Sequence, residues 1–185
     1  MTNIFIIHGA YGNPKENWFP WLKSELEKIG CKVFAPKFPT PENQSLENWL
    51  KIFAEYKPHL NKKSIVVGHS LGPGFLLNIL EKSNAPIKAA FFVSGFTGSL
   101  DNPSFDKINK SFFDNGFDWQ KIKCNCPNFF VFHSDNDPYA PLKKSKELAK
   151  NLNAKLIIIK NAGHFNEESG YTKFELLFNE IKKQL

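Results

Sequence analysis

Short runs of consecutive apolar residues alternate along this chain with longer stretches in which apolar positions recur every three or four residues. The runs are IFII at residues 4–7, KVFAP, SIVV, IKAAFFV, NFFVF and KLIIIK. Each is bounded by turn-forming residues and predicts a strand. Between them, WFPWLKSELEKIG predicts a helix, with Pro20 in its first turn and Gly30 at its C-terminal cap. SLENWLKIFAEYKP sets Leu46, Trp49, Leu50 and Phe53 on one helical face, with Ser45 as the N-cap and Pro58 ending the pattern. Further helices are predicted over residues 71–82, through LKKSKELAKNL, and from about residue 171 onward. Residues 98–123 show no sustained period, and only short helices are expected there.

The strand runs are apolar throughout rather than alternating, which predicts strands covered on both faces. Strands that alternate with helices predict right-handed βαβ units, hence an α/β fold with a parallel sheet of about six strands and helices on both faces. The 185 residues suffice for one such domain over 1–185. No apolar run approaches the ~20 residues of a membrane span. MTNIFIIHGAYG has no basic segment before its apolar run, so it reads as a first strand, not a signal peptide. Three cysteines, none at zinc-finger spacing, predict a reducing, cytoplasmic setting.

Charge changes this picture little. The net charge is +6 and every basic residue is lysine. The lysines are scattered, and arginine, the usual bidentate reader of nucleic acids, is absent, so the charge predicts a solvated surface and no nucleic-acid or membrane partner.

A parallel sheet gathers the C-terminal ends of its strands on one edge, where ligands bind. The segments that follow the strands are HGAYG (8–12), GHSLG (68–72), SGFTG (94–98), HSDNDPYAP (133–141) and NAGHFN (161–166). They bring His8, His69, Ser70, His133, Asp135, Asp137 and His164 to that edge. A serine hydroxyl is a weak nucleophile unless an imidazole takes its proton and a carboxylate orients the imidazole. Ser70, an aspartate and His164 occur in the chain order of the α/β-hydrolase triad, with Asp135 and Asp137 both open as the acid. GHSLG fits a strained strand-to-helix turn, with Pro73 tolerated in the first helical turn. Two backbone N–H groups would hold the oxyanion, from Leu71 and from Ala10, with Tyr11 as the alternative to Ala10. Tyr11, Trp18, Phe96 and Phe165 are expected around an acyl pocket. No metal-ligand pattern and no dinucleotide or P-loop fingerprint occurs, so no metal and no cofactor are expected.

With HGAYGNPKENWFPWLKSEL, VVGHSLG, WQKIKCNCPNFFVFHSDNDPYAP and NAGHFN assembled, the chain resembles the retinoblastoma-binding-protein-nine-like (YdeN-like) small serine hydrolases, from residue 8 to residue 166. The resemblance implies a compact α/β-hydrolase fold without a large lid. It also implies nucleophile Ser70, base His164 and acid Asp137, the aspartate directly before Pro138. The implied activity is hydrolysis of a small-molecule acyl substrate: a carboxylic ester, thioester or amide. The rival expectation is a catalytically idle binding or adaptor protein on the same fold.

Overall fold

The computed structural model describes residues 1–83 and 85–185. Six parallel strands form one sheet: β1 (Asn3–Ile7), β2 (Lys32–Phe34), β3 (Ile65–His69), β4 (Ala89–Val93), β5 (Phe129–Ser134) and β6 (Lys155–Ile159). Their order is β2-β1-β3-β4-β5-β6. The central register pairs Ile4 with Ile65, Ile65 with Ala89, and Ala90 with Phe129. Helices α1 (Phe19–Lys28), α2 (Leu46–Phe53), α3 (Gly72–Glu81), α4 (Pro103–Asn109), α5 (Trp119–Asn125), α6 (Leu142–Leu152) and α7 (Glu175–Lys182) complete the layers.

Alternate strand residues enter opposite cores, as the two-residue period of a strand requires. Phe5, Ile7, Val66, Phe92 and Val131 pack with Trp49 and Phe53 of α2, Phe75 and Leu76 of α3, and Leu148 of α6. Ile4, Ile6, Val67, Phe91 and Phe132 pack with Leu22 and Leu26 of α1 and with Leu177 and Ile181 of α7. The predicted helices appear close to their expected bounds, and α4 and α5 are the short helices expected within residues 98–123. The terminal helix begins later than expected, at Glu175, because a 3-10 turn (Glu167–Ser169) and the left-handed Gly170 come first.

β6 departs from the expectation of strands covered on both faces. It is an edge strand, and Ile158 is 46 % exposed. Lys155 on the same strand pairs with Glu180 of α7 at 3.0 Å. Charge on an edge strand discourages pairing with another chain. Among the described residues, no helix is long and apolar enough to cross a membrane.

Candidate active site

The strand order reverses between β1 and β3, since β2 lies on one side of β1 and the later strands on the other. In open α/β sheets that reversal opens a crevice at the C-terminal edge, where ligands bind. The loop after β1 and the turn after β3 meet there. Ser70 occupies the turn with φ of 58°, a left-handed conformation that is costly for a residue with a side chain. Its N–H donates to the Val93 carbonyl at 2.9 Å, which ties the turn to β4. Pro73 lies in the first turn of α3, where a missing N–H removes no helical bond.

His164 reaches the same crevice from the loop after β6. Its Nδ1 lies 2.9 Å from Asp137 Oδ2 and 3.0 Å from Oδ1. The Asp137 side chain is fully buried. Burial alone would raise its pKa, but the hydrogen bond and charge of His164 and the N–H groups of Ala140 and Tyr139 prevail and hold the carboxyl below its usual range. An ionised carboxylate only accepts, so Nδ1 of His164 carries a proton toward Asp137. Ser70 and His164 line one cavity of 580 Å³.

Asp135 is exposed and does a different job: its Oδ1 accepts the N–H of Asn161 at 2.8 Å. Its neighbours extend the pattern along the His164 loop. Ala162 N–H donates to Ser134 Oγ at 2.9 Å, Gly163 N–H to Asn136 Oδ1 at 2.8 Å, and His164 N–H to Ser169 Oγ at 3.3 Å. Asn161, Gly163 and Phe165 all have positive φ, so this loop satisfies its polar groups from outside rather than by regular self-pairing.

Three further histidines, His69, His8 and His133, are buried, and burial lowers the pKa of each. His69 is pushed down to about 3, first by burial and then by the charge of His164. Its Nε2–H donates to the His164 carbonyl at 2.8 Å. His8 is lowered mainly by burial; its Nδ1–H donates to the Gly9 carbonyl while Nε2 accepts from the Phe38 N–H. His133, also lowered mainly by burial, donates Nε2–H to the Ala140 carbonyl at 2.9 Å and steadies the turn that carries Asp137.

The three N–H groups expected as oxyanion donors differ in their hydrogen bonding. Tyr11 N–H is taken by Thr40 Oγ1 at 2.6 Å. Neither Ala10 N–H nor Leu71 N–H has an acceptor among the described residues. Ala10 and Tyr11 line the cavity, whereas the Leu71 side chain is buried in the core.

The expected aromatic pocket needs correction. Trp18, Phe96 and Phe165 do not line the cavity; each is at most 1 % exposed. Trp18 packs between Phe19 and Phe174, Phe165 stacks on Phe174, and Phe96 lies against Phe105 and Phe113. Their apolar area is worth more inside the core than at a wet rim. The aromatic walls come instead from Tyr11, Phe105 and Tyr139. Phe105 stacks on Tyr11 at 6.4 Å, and Tyr139 meets the His164 ring edge-on at 5.0 Å. Tyr139 follows the DP dipeptide directly and was open to discovery there; Phe105 lies in the aperiodic stretch, where no pattern marks it. Glu16, Glu167 and Glu168 complete the rim. Burial, and then the charge of Glu167, raises the Glu16 carboxyl above its usual range. Among the described residues, no group of three or more histidine, cysteine or acidic side chains is placed to hold a metal ion.

Sheet order, helix layers and the serine turn at the switch point define an α/β-hydrolase fold. The crystal structure of the ydeN gene product from Bacillus subtilis superposes with a TM-score of 0.93 at 31 % identity, covering 100 % of this chain and 98 % of that one. In sequence, YdeN of Bacillus subtilis (strain 168) is 32 % identical over 178 residues, 95 % of this chain and 92 % of its own. Serine hydrolase RBBP9 of Rattus norvegicus is 32 % identical over 187 residues, 100 % of this chain and 96 % of its own. Residues 4–183 match the profile described as serine hydrolase. The chain belongs to that serine hydrolase family.

Proposed function

We propose that the protein cleaves a small carboxylic ester, thioester or amide through an acyl-enzyme on Ser70, with His164 as base and Asp137 as the orienting acid. The observation that carries this reading is the buried Asp137–His164 pair, which turns Nδ1 of His164 onto the carboxylate while His164 lines the cavity it shares with Ser70. Ser70 Oγ attacks the substrate carbonyl as its proton passes to Nε2 of His164. The oxyanion is held by the N–H groups of Ala10 and Leu71. His164 then returns the proton to the leaving group, and an acyl-Ser70 ester remains. Water, deprotonated by the same imidazole, releases the acid and restores the serine. A hydrogen bond from a nucleophilic serine to its imidazole tightens when substrate arrives. The cavity, at 580 Å³, suits a small molecule.

Labelling with a fluorophosphonate probe tests the reading. Wild-type protein should be labelled and Ser70→Ala should not. Unlabelled wild-type protein, or equal labelling of both, would instead favour an idle binding protein on this fold.

A further inference from the structure

Two buried side chains outside the proposed triad grip the loop that carries His164. His69 donates Nε2–H to the carbonyl of His164 at 2.8 Å. Trp18 donates Nε1–H to the carbonyl of Phe165, the next residue, at 2.9 Å. We propose that His69 and Trp18 are positioning residues: their ring N–H groups hold two consecutive carbonyls of the base loop and so keep the His164 imidazole aligned with Ser70.

The loop needs such a grip from outside. Asn161, Gly163 and Phe165 have φ of 55°, 54° and 52°. Left-handed residues persist where the surroundings over-determine them. The N–H groups of residues 161–164 are met by side-chain oxygens of Asp135, Ser134, Asn136 and Ser169. The two rings supply the matching donors to the carbonyl side. They also form one packed unit. Trp18 and Phe19 stand edge-on to the His69 ring at 6.0 and 5.8 Å, and the His69 ring lies 4.8 Å from that of His164. Both His69 and Trp18 are buried, so water does not compete for these bonds. The chain position of His69 adds a constraint: it immediately precedes Ser70, so nucleophile and grip share one turn.

The inference rests on His164 as the base, and the test separates the two. The full chain is assayed on a neutral p-nitrophenyl ester as wild type, His69→Leu, His69→Gln and Trp18→Phe. Glutamine keeps a donor near the position of Nε2, leucine keeps bulk alone, and phenylalanine keeps a ring without the N–H. The leucine and phenylalanine variants should lose kcat, by up to about 10²-fold for a displaced base, with KM unchanged. The glutamine variant should recover most of the loss. The downfield proton resonance of His164 Nδ1–H should broaden or shift in the leucine and phenylalanine variants and return in the glutamine one. Wild-type kcat in Trp18→Phe, or equal loss of kcat in the leucine and glutamine variants, overturns the proposal. If His69→Leu does not fold, the glutamine and phenylalanine variants decide on the same readings. If wild-type protein takes no fluorophosphonate label, or His164→Ala retains full kcat, the proposed function itself fails. Full activity in the positioning variants of a labelled, His164-dependent enzyme removes the grip alone.

Discussion

A Cβ built on Gly9 would stand 2.6 Å from the Cβ of Ser70 and 3.2 Å from the His69 carbonyl, so the loop after β1 passes the serine turn at a distance only glycine permits. Gly9→Ala should therefore push that loop away and take the Ala10 N–H with it. We expect a fall in kcat on the order of 10²-fold in a protein that still folds, read by steady-state kinetics beside a circular dichroism spectrum. The two aspartates should separate as sharply. Asp137→Asn puts the wrong hydrogen-bonding group against Nδ1 of His164 and should lower kcat by about 10⁴-fold. Asp135→Asn keeps an oxygen for the Asn161 N–H and should leave kcat near that of wild type. A large loss in Asp135→Asn, with activity retained in Asp137→Asn, would reverse the assignment. At this scale the serine turn was legible in the sequence, because a serine between glycines after an apolar run has few other uses. The roles of Trp18 and Phe165 were not. A tryptophan N–H aimed at a distant carbonyl leaves no periodic trace, so an aromatic residue near a site reads as pocket lining when it is a brace.

Helix α2 shows what secondary-structure patterns do transmit. Ser45 is extended, and its side chain accepts the Asn48 N–H at 3.2 Å, as the predicted N-cap requires. The apolar face places Trp49 against Phe38, Phe75 and Phe112, and its Nε1–H reaches the Pro39 carbonyl at 3.0 Å. Ser45→Ala should lower stability by about 1 kcal/mol. Trp49→Ala, which opens a hole in the core, should cost about 3–5 kcal/mol. Urea denaturation of both variants checks the ratio; equal losses would mean that Trp49 carries less of the core than its burial implies. Edge position, by contrast, was hidden. KLIIIK reads like a central strand because composition reports apolarity without saying how many neighbours a strand has, and β6 pairs only with β5. The stretch over residues 98–123 was legible as short helices but not as a wall of the cavity, because Phe105 is set there by packing on Tyr11 rather than by any repeat.

For the molecule as a whole, acid is the informative stress. His8, His69 and His133 are buried, and their pKa values are lowered from 6.5 in the fold. Between 6.5 and those lowered values the unfolded chain binds protons that the folded chain refuses. Stability is therefore complete above about 6.5 and falls as pH drops through that value, by up to ~1.4 kcal/mol per pH unit for each ring. For His69 the window extends down to about 3. Asp137 acts lower down: its carboxyl is depressed in the fold, so its contribution is intact above 3.8 and is lost as pH falls through the folded value. Urea midpoints measured from pH 8 to pH 5 should decline, and His69→Gln should flatten the decline. A midpoint independent of pH would mean that these rings protonate without unfolding the protein.

The bonds from Trp18 to Phe165 and from Asn17 to Glu167 span 147 and 150 residues. During synthesis Ser70 is therefore made long before residues 165 and 167 exist. A chain that ends at β5 carries Ser70 but lacks His164 and the contacts that residues 165 and 167 make with residues 17 and 18. Domains form as units while the ribosome works, and long-range contacts come last. On the proposed triad, hydrolytic competence is a late event in the life of each molecule, reached when residues beyond 160 fold back against the first twenty. With His164 as the base, chains truncated before it would be inert, whatever the condition of Ser70.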